Sequence, residues 1–127
     1  MIFAGVVGDY SQLAYEWPHD VPVRISAAVR QRRIDVVNRY GTPKDNPEFW
    51  AKLSANSYLR DLSGPLQLHI GTADKEVPTE FHTRLAQRLR DLQKPVASYV
   101  YPNDDHNLSR NLNVALERSV AWFKRYL

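Results

Sequence analysis

Three short apolar segments alternate with amphipathic segments along the chain. Residues 2–7 form a continuous apolar run closed by Gly-Asp, a pattern typical of a strand that is buried on both faces. Residues 66–70 alternate apolar and polar side chains, and residues 96–101 are rich in β-branched and aromatic side chains. The pattern therefore predicts three strands.

Helical spacing of apolar residues fills the intervals between these strands. The predicted helices cover residues 24–40, 47–53, 79–93 and 109–126. Gly41 stands at the C-cap of the first helix, and Asn46 can cap the second, with Pro47 at its first position. The third helix has a predicted buried stripe of Phe81, Leu85, Leu89 and Leu92. The fourth has an apolar face of Leu112, Leu116, Val120, Phe123 and Leu127.

The order of the predicted elements indicates the fold class. Strand, helices, strand, helix, strand, helix is the order of parallel βαβ units with right-handed crossovers, so we expect an α/β protein with a thin parallel sheet. The two X-Pro pairs within residues 9–23 predict an irregular loop there. A length of 127 residues is that of one domain.

Composition excludes several classes of protein. The chain has no apolar run near the ~18 residues of a membrane span, and its first residues lack the basic region of a secretory signal. Because there are no cysteines, disulfides, thiol catalysis and cysteine zinc sites are excluded, while the compartment stays open. The net charge of +3 is too small to indicate a nucleic-acid partner. A local excess of arginine is expected on a solvated helix face, namely Arg24, Arg30, Arg32, Arg33 and Arg39.

Titratable residues collect after the second and third predicted strands. Asp74 follows the second strand and His106 follows the third. Because the carboxyl ends of neighbouring parallel strands meet at one edge of a sheet, these two side chains can contact each other there. A carboxylate that orients an imidazole base forms two members of a Ser-His-Asp triad, and the α/β-hydrolase order places the acid before the base. The alternative is that Asp74 only closes a turn and that His106 is an ordinary loop histidine.

The third member of such a triad is missing from the sequence. The α/β-hydrolase serine lies in a G-x-S-x-G turn between a strand and a helix. No pair of glycines in the chain flanks a serine in this way. The nearest candidate, Ser63, precedes a strand instead of following one.

The other titratable residues have simpler predicted roles. We expect His69 to pack within its strand and His82 to be exposed on a helix, while His19 lies in a loop with no identifiable partner. Asp104 and Asp105 are expected to close a turn and to favour the dipole of the last helix. The histidines have no metal-ligand spacing and there is no glycine-rich phosphate loop, so we expect neither a metal nor another cofactor.

Two segments resemble the catalytic segments of one enzyme family. Residues 61–78 resemble the segment that carries the catalytic Asp in the prolyl oligopeptidase type of α/β-hydrolase, whose relatives include dipeptidyl and acylaminoacyl peptidases and dienelactone-hydrolase-like esterases. Residues 99–107 resemble the segment that carries the catalytic His. Residues 46–50 and 54–59 resemble the helical stretch before the Asp strand. The resemblance covers nearly the whole chain.

The resemblance implies the C-terminal part of an α/β-hydrolase fold, with about three parallel strands flanked by helices in an incomplete sheet. Residues 1–127 would then form the C-terminal half of the catalytic domain. Asp74 would be the triad acid and His106 the triad base, and the nucleophilic serine would lie upstream of Met1.

The resemblance also implies an activity and partners. The expected function is part of a serine peptidase that cleaves peptide bonds by acyl transfer, and the lone chain is expected to be inactive. The alternatives are a fragment of a carboxylesterase or dienelactone-hydrolase-like enzyme, or a non-catalytic oligomerising module. We expect a peptide or ester substrate once the missing half is present, no nucleic acid and no membrane, and a homodimer through the exposed edge of the first strand.

Overall fold

A computed structural model describes residues 2–4 and 27–127 of the chain. The elements in chain order are β1 (Ile2–Ala4), α1 (Ala27–Tyr40), α2 (Pro47–Leu53), a 3₁₀ helix (Ala55–Asp61), β2 (Leu66–Gly71), α3 (Thr79–Asp91), β3 (Val96–Tyr101) and α4 (Leu112–Tyr126). This is the predicted order. Residues 5–7 of the first predicted strand, the loop over 9–23 with His19, and residues 24–26 lie outside the described residues. None of the described helices is both long and apolar enough to cross a membrane.

The three strands form a parallel sheet in the order β1-β2-β3. β2 is central, and its register pairs Ile2 with Gln67 on one side and Leu66 with Val96 on the other. Every residue of β2 is buried, whereas β3 is mostly half-buried. The difference arises because, within the described residues, β3 has a neighbouring strand on one side only.

The aliphatic core lies between the sheet and α3. The apolar residues of β2 project towards this helix because alternate residues of a strand face opposite sides of the sheet. Leu68 is fully buried, and the predicted stripe on α3 is confirmed, with Leu92 at its partly buried end. The buried members of this cluster are Leu59, Leu66, Leu68, Leu85, Ala86 and Leu89.

The packing of α4 differs from the prediction. Its apolar face is exposed: Leu112, Leu116, Val120 and Phe123 are 43–54% exposed, and Leu127 is fully exposed. Ala115 is buried instead, against Tyr101 and Leu108. The physical reason is that α4 lies over the polar face of β2. There Ser119 Oγ donates a hydrogen bond to Gln67 Oε1, so small and polar helix residues fit this face of the sheet.

The predicted helix ends are largely confirmed. Gly41 has a φ of +79° and its N–H donates to Val37 O over 2.8 Å, which is the left-handed C-cap that favours glycine. Asn46 Oδ1 accepts a hydrogen bond from Phe49 N at the start of α2. The last helix begins at Leu112 instead of near residue 109, because the backbone N–H groups of Ser109, Arg110 and Asn111 donate to the side chains of Asp105 and Asp104.

Candidate active site

The carboxyl ends of β2 and β3 bring Asp74 and His106 together. His106 Nδ1 lies 3.0 Å from Asp74 Oδ2. The Asp74 side chain is 1% exposed, whereas that of His106 is 30% exposed, so the acid is enclosed and the imidazole reaches the surface. A carboxylate that accepts a hydrogen bond from Nδ1–H holds the proton on that nitrogen and leaves the lone pair of Nε2 available, which is the tautomer that a general base requires.

The second oxygen of Asp74 closes a turn. Asp74 Oδ1 accepts hydrogen bonds from the backbone N–H groups of Glu76, at 2.7 Å, and Val77, at 2.8 Å. The same carboxylate therefore acts as a turn residue and as the partner of the imidazole. The two interpretations of Asp74 drawn from the sequence are both consistent with this geometry.

The two loops that carry Asp74 and His106 are joined to each other. Thr72 N donates to Tyr101 O, at 2.9 Å, and Ala73 N donates to Asp104 O, at 2.8 Å. Asn103 N donates to Thr72 Oγ1 over 2.7 Å. These bonds continue the pairing of β2 with β3 beyond the sheet, and they fix the spacing between the acid and the base.

Gly71 permits this close approach of the loops. A Cβ atom at this position would collide with the backbone carbonyl of Asp104 and would lie 2.5 Å from the carbonyl oxygen of Asp105. Only a glycine fits without a backbone shift. From the sequence, Gly71 predicts only the end of a strand. Its contribution to the site depends on a neighbouring loop that is distant in sequence.

Asp104 anchors the loop of His106 from inside. Its side chain is buried, and it accepts hydrogen bonds from the backbone N–H groups of Asp105, Arg110 and Asn111 and from Asn111 Nδ2. Burial alone would raise the pKa of Asp104, but the hydrogen bonds from Asn111 and from these backbone groups outweigh it and lower the pKa. Asp104 is therefore a charged anchor in the turn where the sequence places it. Because α4 begins only at Leu112 and its first turn contains no acidic residue, neither Asp104 nor Asp105 lies in the first turn of that helix.

Asp105 shapes the outer side of the same loop. Its carboxylate accepts hydrogen bonds from the N–H groups of Asn107 and Ser109 and from Ser109 Oγ. The backbone and hydroxyl hydrogen bonds from Ser109 lower the pKa of Asp105. Leu108, with a φ of +54°, is buried against Tyr101 and Ala115. Both aspartates thus hold the loop that presents His106.

Two further histidines lie within the fold. His69 is buried as expected, with Nδ1 2.9 Å from Tyr101 Oη and Nε2 3.0 Å from Gln67 Oε1. The expectation that His82 is exposed is wrong, since the residue is only 1% exposed. α3 turns His82 towards β3, where Nε2 lies 2.8 Å from Ser98 Oγ. Burial, with smaller contributions from nearby positive charge, lowers the pKa of His82 to about 4.

Glu76 is a residue of the site that the sequence does not identify. Its Oε2 lies 3.8 Å from His106 Nε2, and its side chain is 65% exposed. Within residues 2–4 and 27–127, no hydroxyl group lies within hydrogen-bond distance of this nitrogen. In the same described ranges, no cluster of three or more His, Cys, Asp or Glu side chains is arranged to hold a metal ion.

The fold and this site together define a class of protein. A parallel sheet with helices on both faces, carrying an Asp–His contact at its carboxyl edge, is part of an α/β-hydrolase. The sequence profile of the prolyl oligopeptidase family matches residues 32–127. The chain belongs to the prolyl oligopeptidase family, which confirms the resemblance seen in the sequence.

Solved structures similar to this chain agree with that class. A Porphyromonas gingivalis dipeptidyl peptidase 4 aligns with 99% of the chain at 21% identity and a TM-score of 0.64. A protein assigned as a dipeptidyl aminopeptidase IV from Bacteroides ovatus aligns with 75% at 19% identity and a TM-score of 0.60. The chain covers 16% and 14% of their lengths, so these similarities show a shared fold over a small part of each enzyme. No curated protein matches the chain.

Proposed function

We propose that this chain supplies the acid and the base of a serine peptidase of prolyl oligopeptidase type. Asp74 is the acid and His106 the base, and the serine nucleophile comes from outside these 127 residues. The 3.0 Å contact between His106 Nδ1 and Asp74 Oδ2 carries this proposal. Family membership supports acyl-transfer chemistry, and the names of the structural neighbours favour a peptide substrate.

The geometry fits a proton relay in acyl transfer. The serine oxygen attacks the substrate carbonyl while its proton passes to His106 Nε2. Asp74 accepts a hydrogen bond from Nδ1–H of His106, which keeps that proton on the ring, and it stabilises the imidazolium that forms. The imidazolium then gives its proton to the leaving amine, and water repeats the sequence on the acyl-enzyme. The partial exposure of His106 is consistent with a nucleophile and substrate that approach Nε2 from outside the described residues.

The missing nucleophile determines what the lone chain can do. No G-x-S-x-G segment occurs among the 127 residues. Loss of a triad member lowers kcat by about 10⁴- to 10⁶-fold. The lone chain is therefore proposed to have no measurable peptidase activity, and residues 1–127 are proposed to be the C-terminal half of a catalytic domain.

The edge of β1 is where the rest of the sheet would pair. Among the described strands, β1 pairs with β2 and with no other. A nucleophile-bearing strand on this edge would place its serine at the same carboxyl end as Asp74 and His106. A homodimer through this edge is the second candidate, because an unpaired strand edge can pair with a second copy. Sedimentation at micromolar concentration tests it: a clean monomer would exclude the dimer.

A fluorophosphonate probe, which labels activated serines, tests the catalytic proposal. The purified chain alone should not be labelled. When it is mixed with a polypeptide that carries the preceding half of a prolyl oligopeptidase-type domain, including its G-x-S-x-G, that polypeptide should be labelled. Labelling should be lost with His106→Gln and with Asp74→Asn. Asp61→Asn is the matched control, because Asp61 is exposed and lies before the start of β2, at the opposite edge of the sheet.

The outcomes of this experiment separate the alternatives. Cleavage of dipeptidyl anilides by the mixture supports the peptidase, whereas cleavage of simple aryl esters alone favours the carboxylesterase or dienelactone-hydrolase-like alternative. Labelling of the lone chain would contradict the absence of a nucleophile. Labelling of the mixture that persists in the His106→Gln variant would overturn the role of His106 as the base.

A further inference from the structure

A cavity of about 510 Å³ lies between β3 and α4. It is lined by the first part of β3 and by the carboxyl-terminal half of α4. Asp74 and His106 follow the carboxyl ends of their strands, so the cavity and the candidate active site lie towards different ends of the sheet. We propose that the cavity binds a small planar aromatic anion, an arylcarboxylate or an aryl phosphate, and that Arg118 holds its charge. This binding does not depend on the proposed peptidase function.

The charged side chains that line the cavity are both positive. They are Arg118 and Arg125, and no aspartate or glutamate of the described residues lines it. Neither arginine forms an ion pair or donates a side-chain hydrogen bond within residues 2–4 and 27–127. Arg118 is half-buried, and a cation that is partly removed from water is stabilised by a partner of opposite charge. An anion is therefore the ligand that complements the charge of this cavity.

The guanidinium of Arg118 is held in place by two aromatic rings. Its Cζ atom lies 4.2 Å from the centroid of the Tyr99 ring and 5.3 Å from that of the Tyr101 ring. Contact with aromatic faces orients a guanidinium and leaves its N–H groups available to bind two oxygens of one carboxylate or phosphate. Because this side chain is already ordered, an anion that binds to it immobilises less of the protein, which favours affinity.

The remaining lining of the cavity suits a flat apolar ring. Tyr99, Trp122 and Tyr126 contribute aromatic surface, and Val96 and Ala121 contribute aliphatic surface. Aromatic side chains bind a planar ring through stacked or edge-to-face contacts and through burial of apolar surface. The volume of the cavity lies within the range of about 300–1,000 Å³ that is usual for small-molecule sites. The expected ligand therefore combines an aromatic ring with an anionic group, and a small inorganic anion would leave most of this surface unused.

A buried donor in the lining supports a ligand with an acceptor oxygen. Trp122 Nε1 is buried and has no hydrogen-bond partner among the described residues, which is an unfavourable state for an N–H group. Tyr126 packs against Trp122 with ring centroids 4.6 Å apart, and it is 40% exposed. A ligand that displaces the Tyr126 ring would give this N–H an acceptor. Trp50 differs, because its Nε1 already donates to Gly41 O over 3.0 Å.

Titration of the 127-residue chain with 2-naphthoate, followed by calorimetry and by NMR, tests the proposal. The dissociation constant should be about 1 mM or lower, the value that ordinary ligand efficiency gives a two-ring compound. The indole N–H signal of Trp122, identified by its loss in Trp122→Phe, should shift, whereas that of Trp50 should not. Two control compounds should each bind at least about 10-fold more weakly: 2-naphthylmethylamine, which has the ring with the opposite charge, and acetate, which has the charge without the ring.

Variants of the two arginines separate the charge from the rest of the cavity. Arg118→Met should weaken the binding of 2-naphthoate by about 10- to 100-fold, because the charge-assisted hydrogen bonds are lost. Arg118→Lys keeps the charge without the planar fork and should lose less. Arg125→Met should have a smaller effect, because Arg125 is exposed. Arg84→Met is the matched control, since Arg84 lies over the Phe81 ring at 5.2 Å and does not line the cavity.

Absence of binding by the unmodified chain at about 10 mM 2-naphthoate would overturn the proposal, as would equal affinities for the carboxylate and the amine. Equal affinities of Arg118→Met and Arg84→Met for 2-naphthoate would also overturn it. If Arg118→Met fails to fold, the comparison of the three compounds on the unmodified chain still decides the outcome. None of these measurements requires a serine nucleophile. A mixture with no peptidase activity would therefore contradict the proposed function, while binding of 2-naphthoate would still support this site.

Discussion

The two faces of the sheet are held by different physical interactions. On the α3 face, Leu68 and its aliphatic neighbours form a core stabilised by burial of apolar surface. On the α4 face, a chain of hydrogen bonds runs from Gln67 through His69 to Tyr101. On the same face, Arg118 Cζ lies 4.2 Å from the centroid of the Tyr99 ring. Hydrogen bonds depend on direction as well as on distance, whereas burial of apolar surface is non-directional. The polar face therefore defines the position of the strand that leads to His106 more sharply.

The largest effect should come from a cavity on the aliphatic face. Leu68→Ala is expected to lower the free energy of unfolding by about 4 kcal/mol, because the fully buried side chain leaves a void that its neighbours fill only in part. Denaturant unfolding measures this loss. A loss below about 1 kcal/mol would show that the α3 face does not dominate stability.

Acid should destabilise the fold through His82, which lies on the aliphatic face. The pKa of His82 is lowered from 6.5 to about 4, chiefly by burial. Because the unfolded state binds the proton first, stability should be full above pH 6.5 and fall as pH decreases towards 4, by at most about 3 kcal/mol. Burial lowers the pKa of His69 in the same direction. The free energy of unfolding, measured at several pH values in this range, should depend less on pH in His82→Asn than in the unmodified chain. An equal pH dependence in the two proteins would contradict this role of His82.

A smaller effect is expected from the polar face. Tyr101→Phe removes the hydroxyl that contacts His69 Nδ1 and leaves that nitrogen buried without this partner, at a cost of about 1–2 kcal/mol. Tyr99→Phe is the matched control, because Tyr99 contributes ring contacts in the same region. Thermal unfolding should separate the two variants. Equal losses would mean that ring stacking, and not the hydrogen bond, holds this face.

The smallest effect should come from the outer side of α4. Leu116→Ala is expected to change the free energy of unfolding by less than about 0.5 kcal/mol, since the side chain is 54% exposed. It repeats the chemical change of Leu68→Ala at an exposed site, so the same denaturant measurement serves both. A loss above about 2 kcal/mol would show that this apolar face is covered in solution.

The features that were predictable depend on local patterns. Period-two alternation located β2, helical spacing located the buried stripe of α3, and Asn46 with Pro47 located the start of α2. The meeting of Asp74 with His106 was also predictable, because the carboxyl ends of neighbouring parallel strands always share one edge.

The features that were not predictable depend on contacts between distant segments. His82 was expected at the surface, and its burial follows from the position of Ser98 across the sheet. The apolar face of α4 was a good helical pattern, but the polar surface of β2 selected another side of the helix. Glu76 is distinguished by its distance from His106, and a distance between two loops cannot be read from the sequence.

The sequence by itself therefore determined the order of the elements and the α/β class, because both depend on residue type and spacing along the chain. Its resemblance to known catalytic segments indicated the family and the two residues proposed as acid and base. The tertiary structure alone decided the working geometry of the site. Gly71 is needed because another loop passes against it, Asp104 is an anchor because the residues before α4 point their N–H groups at it, and Glu76 faces His106 because both loops leave the same edge of the sheet. Such distances depend on how separate segments pack, and a linear pattern does not specify them.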